Sequence, residues 1–117
     1  MNNVASGWWS VVSGGYENEA SNVSAVVFGG SNNRASGDLS AVLGGFVNDA
    51  MGEHAVVSGG RYNVASGAGG AVSGGRMNMA VGMGTSVMGG LNNTAGGGEG
   101  ASVSGGVNNV ASGNHTS

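Results

Sequence analysis

A pair of adjacent glycines recurs through this chain at a nearly constant interval. The first members of these pairs are Gly14, Gly29, Gly44, Gly59, Gly74, Gly89 and Gly105. Five successive intervals have the same length, as from Gly14 to Gly29, and the last is longer by a single position. A fixed period over most of a 117-residue chain indicates an array of similar structural units rather than one irregular globule.

Other residue types keep the same period and define the unit N-x-A-x-G-x-x-x-x-V-x-G-G-x-x. An asparagine stands three residues after the second glycine of each pair, and an alanine follows two positions later. The alanines between the first and last repeats are Ala20, Ala35, Ala50, Ala65, Ala80 and Ala95. A valine precedes each glycine pair by two positions, at Val12, Val27, Val42, Val57, Val72, Val87 and Val103.

A unit of this length is too short for two packed helices, and its many glycines would weaken any helix. It fits two short strands joined by tight turns, with glycines where the chain reverses and φ > 0 is needed. Coils of this kind stack with a strand spacing of about 4.8 Å. The sequence therefore predicts a single all-β domain over residues 1–117, a parallel β-solenoid of about eight two-stranded rungs, roughly 35–40 Å long. The one longer interval predicts a surface loop at Gly96–Gly100.

The two predicted strands differ in their side chains. In the N-x-A-x-G strand the slot between Asn and Ala varies freely and accepts charge, so the Asn and Ala side chains are predicted to point inward. An inward asparagine needs hydrogen bonds. They come either from an asparagine ladder along the stack or from a capping role in the turn.

The valine strand is apolar on both faces. Val26 and Phe28, for example, flank the fixed Val27. Such a pattern is typical of a strand buried on both sides. A two-stranded coil has only one interior, so the second apolar face predicts a cover made of further copies of the chain, arranged as a cyclic homo-oligomer.

Composition excludes several classes of function. The net charge is −3, and there is neither Lys nor Cys. No basic footprint for nucleic acid exists, no thiolate chemistry is possible, and no apolar run is long enough to insert into a membrane. No P-loop or nucleophile elbow occurs. His54 and His115 fall on distant rungs, too far apart to share a metal. We therefore predict a non-enzymatic protein with no catalytic residue, metal or cofactor.

Two groups of residues are candidates for a ligand surface. Arg61 and Arg76 occupy the same slot of consecutive repeats, with Tyr62 beside the first; Arg and Tyr are enriched at interfaces. The alternative is that both arginines extend into water. Trp8 and Trp9 form the second group, in a predicted turn, with packing at the end of the stack as the alternative.

The repeat resembles the head repeat of the YadA-like trimeric autotransporter adhesins, N-S-V-A-I-G-x-x-S-x-A-x-G-x-x. The stretch SAVVFGGSNNRASGDL (24–39) aligns well with it, as do residues 40–52 and 101–113. The chain departs from that pattern in its double glycine and in having no Ile. The resemblance implies a left-handed parallel β-roll, three chains intertwined as a homotrimer, and a place on the outer membrane of a bacterium.

The resemblance further implies a virulence-related function in adhesion to host cells or to extracellular matrix proteins such as collagen. No neck motif, coiled-coil stalk or membrane anchor is recognisable in these 117 residues. The chain is therefore interpreted as a fragment of an adhesin head.

Other solenoid functions remain as alternatives. A trimeric phage-fibre shaft shares the same packing logic. An ice-binding solenoid needs a flat ladder of regularly spaced Thr, whereas the chain has only Thr85, Thr94 and Thr116. A hexapeptide-repeat acyltransferase is disfavoured by the period, since the observed repeat is shorter than three hexapeptides.

Overall fold

A computed structural model describes residues 2–115 of the chain. It contains fifteen strands of two residues each and no helix among the described residues. The odd-numbered strands are β1 (Val4–Ala5), β3 (Glu19–Ala20), β5 (Arg34–Ala35), β7 (Asp49–Ala50), β9 (Val64–Ala65), β11 (Met79–Ala80), β13 (Thr94–Ala95) and β15 (Val110–Ala111). The even-numbered strands are β2 (Val11–Val12), β4 (Val26–Val27), β6 (Ala41–Val42), β8 (Val56–Val57), β10 (Ala71–Val72), β12 (Ser86–Val87) and β14 (Ser102–Val103).

The strands build two parallel sheets that face one another. The odd strands pair in sequence order as an eight-stranded first sheet, and the even strands form a seven-stranded second sheet. Each strand pairs with the equivalent strand of the next repeat, as in the pairing of Ala20 with Ala35. The predicted parallel β-solenoid is thus confirmed, with seven complete turns and one further strand in place of the predicted eight rungs. Its longest dimension is 38 Å.

Each turn of the coil also has a third hydrogen-bonded side, which the sequence did not predict. Directly after each glycine pair, one residue forms an isolated parallel bridge with its equivalent one turn away. We call this column the corner ladder; it consists of Tyr16, Ser31, Phe46, Arg61, Arg76, Leu91 and Val107. A bridge of single residues has no period-two pattern, so alternation of side chains cannot reveal it.

The pairing offsets locate the extra residue of the irregular repeat. Met79 pairs with Thr94, which keeps the regular offset, whereas the pairs Thr94 with Val110 and Ser86 with Ser102 are each one position longer. The insertion therefore lies between Thr94 and Ser102, which agrees with the loop expected at 96–100. Gly97 and Gly100 both adopt positive φ there, a backbone geometry that glycine adopts readily.

The core consists almost entirely of alanine and valine. The repeated alanines from Ala20 to Ala95 and the repeated valines from Val27 to Val103 are buried, and Val12 is partly buried against them. Inward valines of the second sheet face inward alanines of the first, so the two sheets pack closely, and the narrowest dimension of the molecule is 12 Å. Larger side chains would not fit in a space this thin.

Buried asparagines run along the coil where it passes from the corner ladder into the first sheet. Asn63 shows the pattern: its Oδ1 accepts the backbone N–H of Asn78 at 2.9 Å. Its Nδ2 donates to the carbonyl oxygens of Gly59 at 2.9 Å and Gly75 at 3.0 Å. The ladder therefore runs from side chain to backbone, turn after turn, and each asparagine also caps its own turn. The two alternatives drawn from the sequence describe one arrangement.

The two glycines of each pair have different roles. Gly60 adopts φ +88, and a Cβ there would overlap the carbonyl oxygen of Gly75 and the side-chain amide of Asn63. A Cβ on Gly59 would meet nothing within 4 Å. Close stacking of the turns therefore requires the second glycine of the pair, while the first faces open space.

Candidate functional surface

The corner ladder carries a cleft on the described surface. Arg61 and Arg76 are bridge partners on consecutive turns, so their backbones lie about 4.8 Å apart. Together with Phe46 one turn earlier they line a cavity of about 560 Å³, whose remaining lining comes from Gly45, Gly60 and Gly75. The two arginines singled out from the sequence thus lie side by side on one surface.

An aromatic pair borders the same cleft. The rings of Phe46 and Tyr62 contact edge to face, with their centroids 5.8 Å apart. Phe46 was missed in the sequence, although it occupies the slot of Arg61 one repeat earlier. Alignment of the repeats on the glycine pairs places Phe46, Arg61 and Arg76 in one column, and that alignment was the signal that could have found it.

Trp8 and Trp9 lie on a different edge of the coil. Their side chains are 75% and 77% exposed, and their rings contact edge to face with centroids 6.0 Å apart. This exposure contradicts the alternative in which they pack over the end of the stack. They form an aromatic surface in the turn between β1 and β2, separate from the arginine cleft.

The outward face of the first sheet carries a short column of alternating charge. Glu19, Arg34 and Asp49 stand on consecutive turns, and the Nε of Arg34 lies 3.9 Å from Glu19 Oε1. Both of those side chains are about half exposed, so their pair adds little stability. The Oδ1 of Asp49 is buried and has no hydrogen-bond partner among the described residues.

Burial raises the pKa of the Asp49 carboxyl above its ordinary value of 3.8. The nearby Arg34 opposes this shift and Glu19 adds to it. Because the folded-state pKa lies above the unfolded-state pKa, the ionised carboxylate destabilises the fold. This destabilisation is absent below the ordinary pKa, and it is fully present once the pH exceeds the raised one.

We expect Asp49→Asn to increase the free energy of unfolding at pH 7 by up to about 1 kcal/mol, a value limited by partial solvent screening of the carboxylate. The difference between variant and wild type should shrink as the pH falls toward 3, because protonation of the wild-type carboxyl removes the same charge. Urea unfolding at several pH values measures this difference. A difference that stays constant from pH 7 to pH 3 would contradict the assignment to Asp49.

The outward face of the second sheet bears no charged residue. Its outward positions are the first residue of each even strand and the residue that follows the strand. They are Val11, Ser13, Val26, Phe28, Ala41, Leu43, Val56, Ser58, Ala71, Ser73, Ser86, Met88, Ser102 and Ser104. We call this surface the uncharged face. Its three largest side chains are exposed, Phe28 by 56%, Leu43 by 43% and Met88 by 64%. Phe28 and Leu43 lie on consecutive turns, and Met88 lies three turns further along.

The described residues hold no group of three or more His, Cys, Asp or Glu side chains that could bind a metal ion. His54 and His115 occupy equivalent positions on different turns of the coil, and both have positive φ. Within residues 2–115 there is no helix long and apolar enough to cross a membrane.

Comparisons with known proteins add no family to this description. No protein-family model matches the chain, and no curated protein is significantly similar to it.

Proposed function

We propose that this chain is the head segment of a trimeric adhesin displayed on the outer membrane of a bacterium. In this proposal three copies wind as left-handed parallel β-rolls around a common axis and act without catalysis. They bind a host cell surface or an extracellular matrix protein such as collagen. The regular repeat and its resemblance to adhesin head repeats motivate the proposal.

The observation that carries the proposal is the uncharged face. The first sheet carries charge on its outward face at Glu19, Arg34 and Asp49. Its outward slots also hold exposed apolar residues, such as Val110 at 70% exposure. The outward positions of the second sheet carry no charge at all and include only serine and apolar residues. A single coil leaves this face in water. Contact with equivalent faces of two further copies would bury Phe28, Leu43 and Met88, and a closed cyclic assembly would leave no copy of the face uncovered.

A trimer would also explain how a repetitive surface could bind a long ligand. Each exposed side chain would occur three times around the axis, so weak contacts would act together through a raised effective concentration. An extended fibrous protein suits such a surface because it can contact several turns of the coil at once.

We expect Val56→Asp to remove trimer formation while leaving each chain folded. Val56 points outward at the centre of the uncharged face, so the new carboxylate is solvated in a single chain and would be buried only on assembly. Light scattering should give the mass of one chain, and circular dichroism should keep its β signal. Attachment to immobilised collagen should fall by about tenfold or more, because avidity is lost.

The matched control is Val64→Asp, since Val64 is the outward residue of β9 on the opposite sheet. It should keep the mass and attachment of the wild type. Loss of assembly in both variants, or in neither, would contradict the assignment of the uncharged face to the trimer interface.

A further inference from the structure

Arg61 and Arg76 place two positive charges on one edge of the coil. Their backbones are bridge partners on adjacent turns, and both residues are exposed. Among the described residues, neither guanidinium lies within ion-pair distance of a carboxylate; the arginine that has such a contact is Arg34, with Glu19. Two unneutralised arginines on adjacent turns favour the binding of an anionic ligand, because a guanidinium forms strong charge-assisted hydrogen bonds to sulfate or carboxylate oxygens.

The residues around this pair contain no competing negative charge. The column that follows the corner ladder along the chain carries Val47, Tyr62 and Met77 beside the cleft. Its one acidic member is Glu17, three turns away from Tyr62. Although the whole chain has a net charge of −3, this edge of the coil is locally positive and apolar.

The shape of the cleft favours a ligand that runs along the edge of the coil. It spans three consecutive turns, and the backbones of Gly45, Gly60 and Gly75 line it between the larger side chains. The side chains that line the cleft are those of Phe46, Arg61 and Arg76, one from each turn.

The cleft is lined by the side chains of two arginines and by one aromatic ring, that of Phe46. Arginine binds sulfate and carboxylate groups with two parallel hydrogen bonds. Phe46, braced by its contact with Tyr62, provides an apolar surface on which the C–H face of a sugar ring can pack. Binding sites commonly pair such an apolar wall with a few placed polar groups.

We propose that the cleft of Phe46, Arg61 and Arg76 binds a linear acidic polysaccharide through its sulfate or carboxylate groups. Neighbouring anionic groups of the polysaccharide contact the two arginines, and an intervening sugar ring packs on Phe46. This site deepens the proposed function and rests on it, because it names the class of surface molecule to which an adhesin of this kind would attach.

The test compares three probes on the full chain: dextran sulfate, polygalacturonate and neutral dextran. We expect binding of at least one polyanion by calorimetric titration, with affinity that falls as salt rises, and no binding of neutral dextran. Binding of dextran sulfate alone identifies sulfate as the recognised group, and binding of polygalacturonate alone identifies carboxylate. Wild-type protein that binds neither polyanion, or binds neutral dextran equally well, would overturn the proposal.

Variants locate the site. Arg61→Gln with Arg76→Gln should weaken polyanion binding by about tenfold or more, and the double Arg→Lys variant should recover part of the loss because it keeps charge without the planar fork. Phe46→Ala should weaken binding while leaving its salt dependence unchanged. Circular dichroism confirms that each variant is folded.

The control is Arg34→Gln, which removes one positive charge from the first sheet, away from the corner ladder. It is compared with Arg61→Gln alone, which also removes one charge, and it should change affinity by less than about twofold. An equal loss in this control would show that binding depends on overall charge, and would overturn the site. The mass of the assembly is a separate readout. A monomer that still binds the polyanion at Arg61 and Arg76 would refute the trimeric adhesin and leave this site standing.

Discussion

Val57→Asp is expected to unfold the single chain. Val57 is fully buried between the two sheets, where its neighbours are the inward alanines and valines of adjacent turns. An aspartate there would leave an unpaired charge in an apolar space with no room for water, at a cost of about 4 kcal/mol or more. A repeat structure of this thinness has few other contacts to offset such a loss.

Circular dichroism and urea unfolding of Val57→Asp measure this effect, with Val56→Asp as the control. The two residues are adjacent in β8 and differ in the face on which they lie. The control should keep its fold, because its carboxylate points to solvent in the single chain. A folded Val57→Asp, or two variants with equal stability, would contradict the assignment of the inward face.

Asn63→Ala is expected to destabilise the chain by about 3–5 kcal/mol, the sum of two effects. The substitution leaves the backbone N–H of Asn78 and the carbonyl of Gly59 without the side-chain partners that bind them. Each buried polar group left unpaired costs about 1–3 kcal/mol, and removal of the side chain also leaves a cavity. The loss falls in the middle of the stack, where the Asn63 side chain joins its own turn to the next one.

Asn22→Ala is the matched control for this variant. Asn22 is also an asparagine that bonds the next turn, through Nδ2 to the carbonyl of Ser36 at 3.2 Å, but it is exposed. Water can replace its bonds, so the control should lose less than about 1 kcal/mol. Urea unfolding compares the two. A loss in Asn63→Ala no greater than that in Asn22→Ala would show that the buried ladder is not what holds the turns together.

Most of the fold could be predicted from the sequence repeat. Because the regular period aligns equivalent residues, the positions of the inward alanines and valines followed directly from which slots stay constant and which vary. The separation of Val26 from Val27 onto opposite faces followed from strand alternation. The structure describes one chain and therefore contains no partner for the uncharged face, so the trimer is a proposal.

The backbone of the turns was less predictable. Positive φ was expected at glycines, and the second glycine of each pair, such as Gly60, meets that expectation. Yet Val47, Tyr62 and Trp9 also have positive φ, which is rare for bulky or β-branched residues. Stacking fixes the path of every turn to that of its neighbours, so the conformation of one turn overrides the local preference of the residue placed in it.

The candidate site was predicted in part. Arg61 and Arg76 were placed together by their shared slot, whereas the cleft depends on the third side of the coil. A corner of single-residue bridges leaves no alternating pattern in the sequence. The contact of Phe46 with Tyr62 and the cleft beside Gly60 could therefore be recognised only from the three-dimensional structure.

The solution mass of the wild-type chain, measured by light scattering during size-exclusion chromatography, tests the central claim most directly. We predict a mass three times the 11.1 kDa of one chain, because the uncharged face needs equivalent faces to cover it. A stable, folded species of 11.1 kDa would contradict the trimer and would leave a single-chain solenoid whose second sheet faces water.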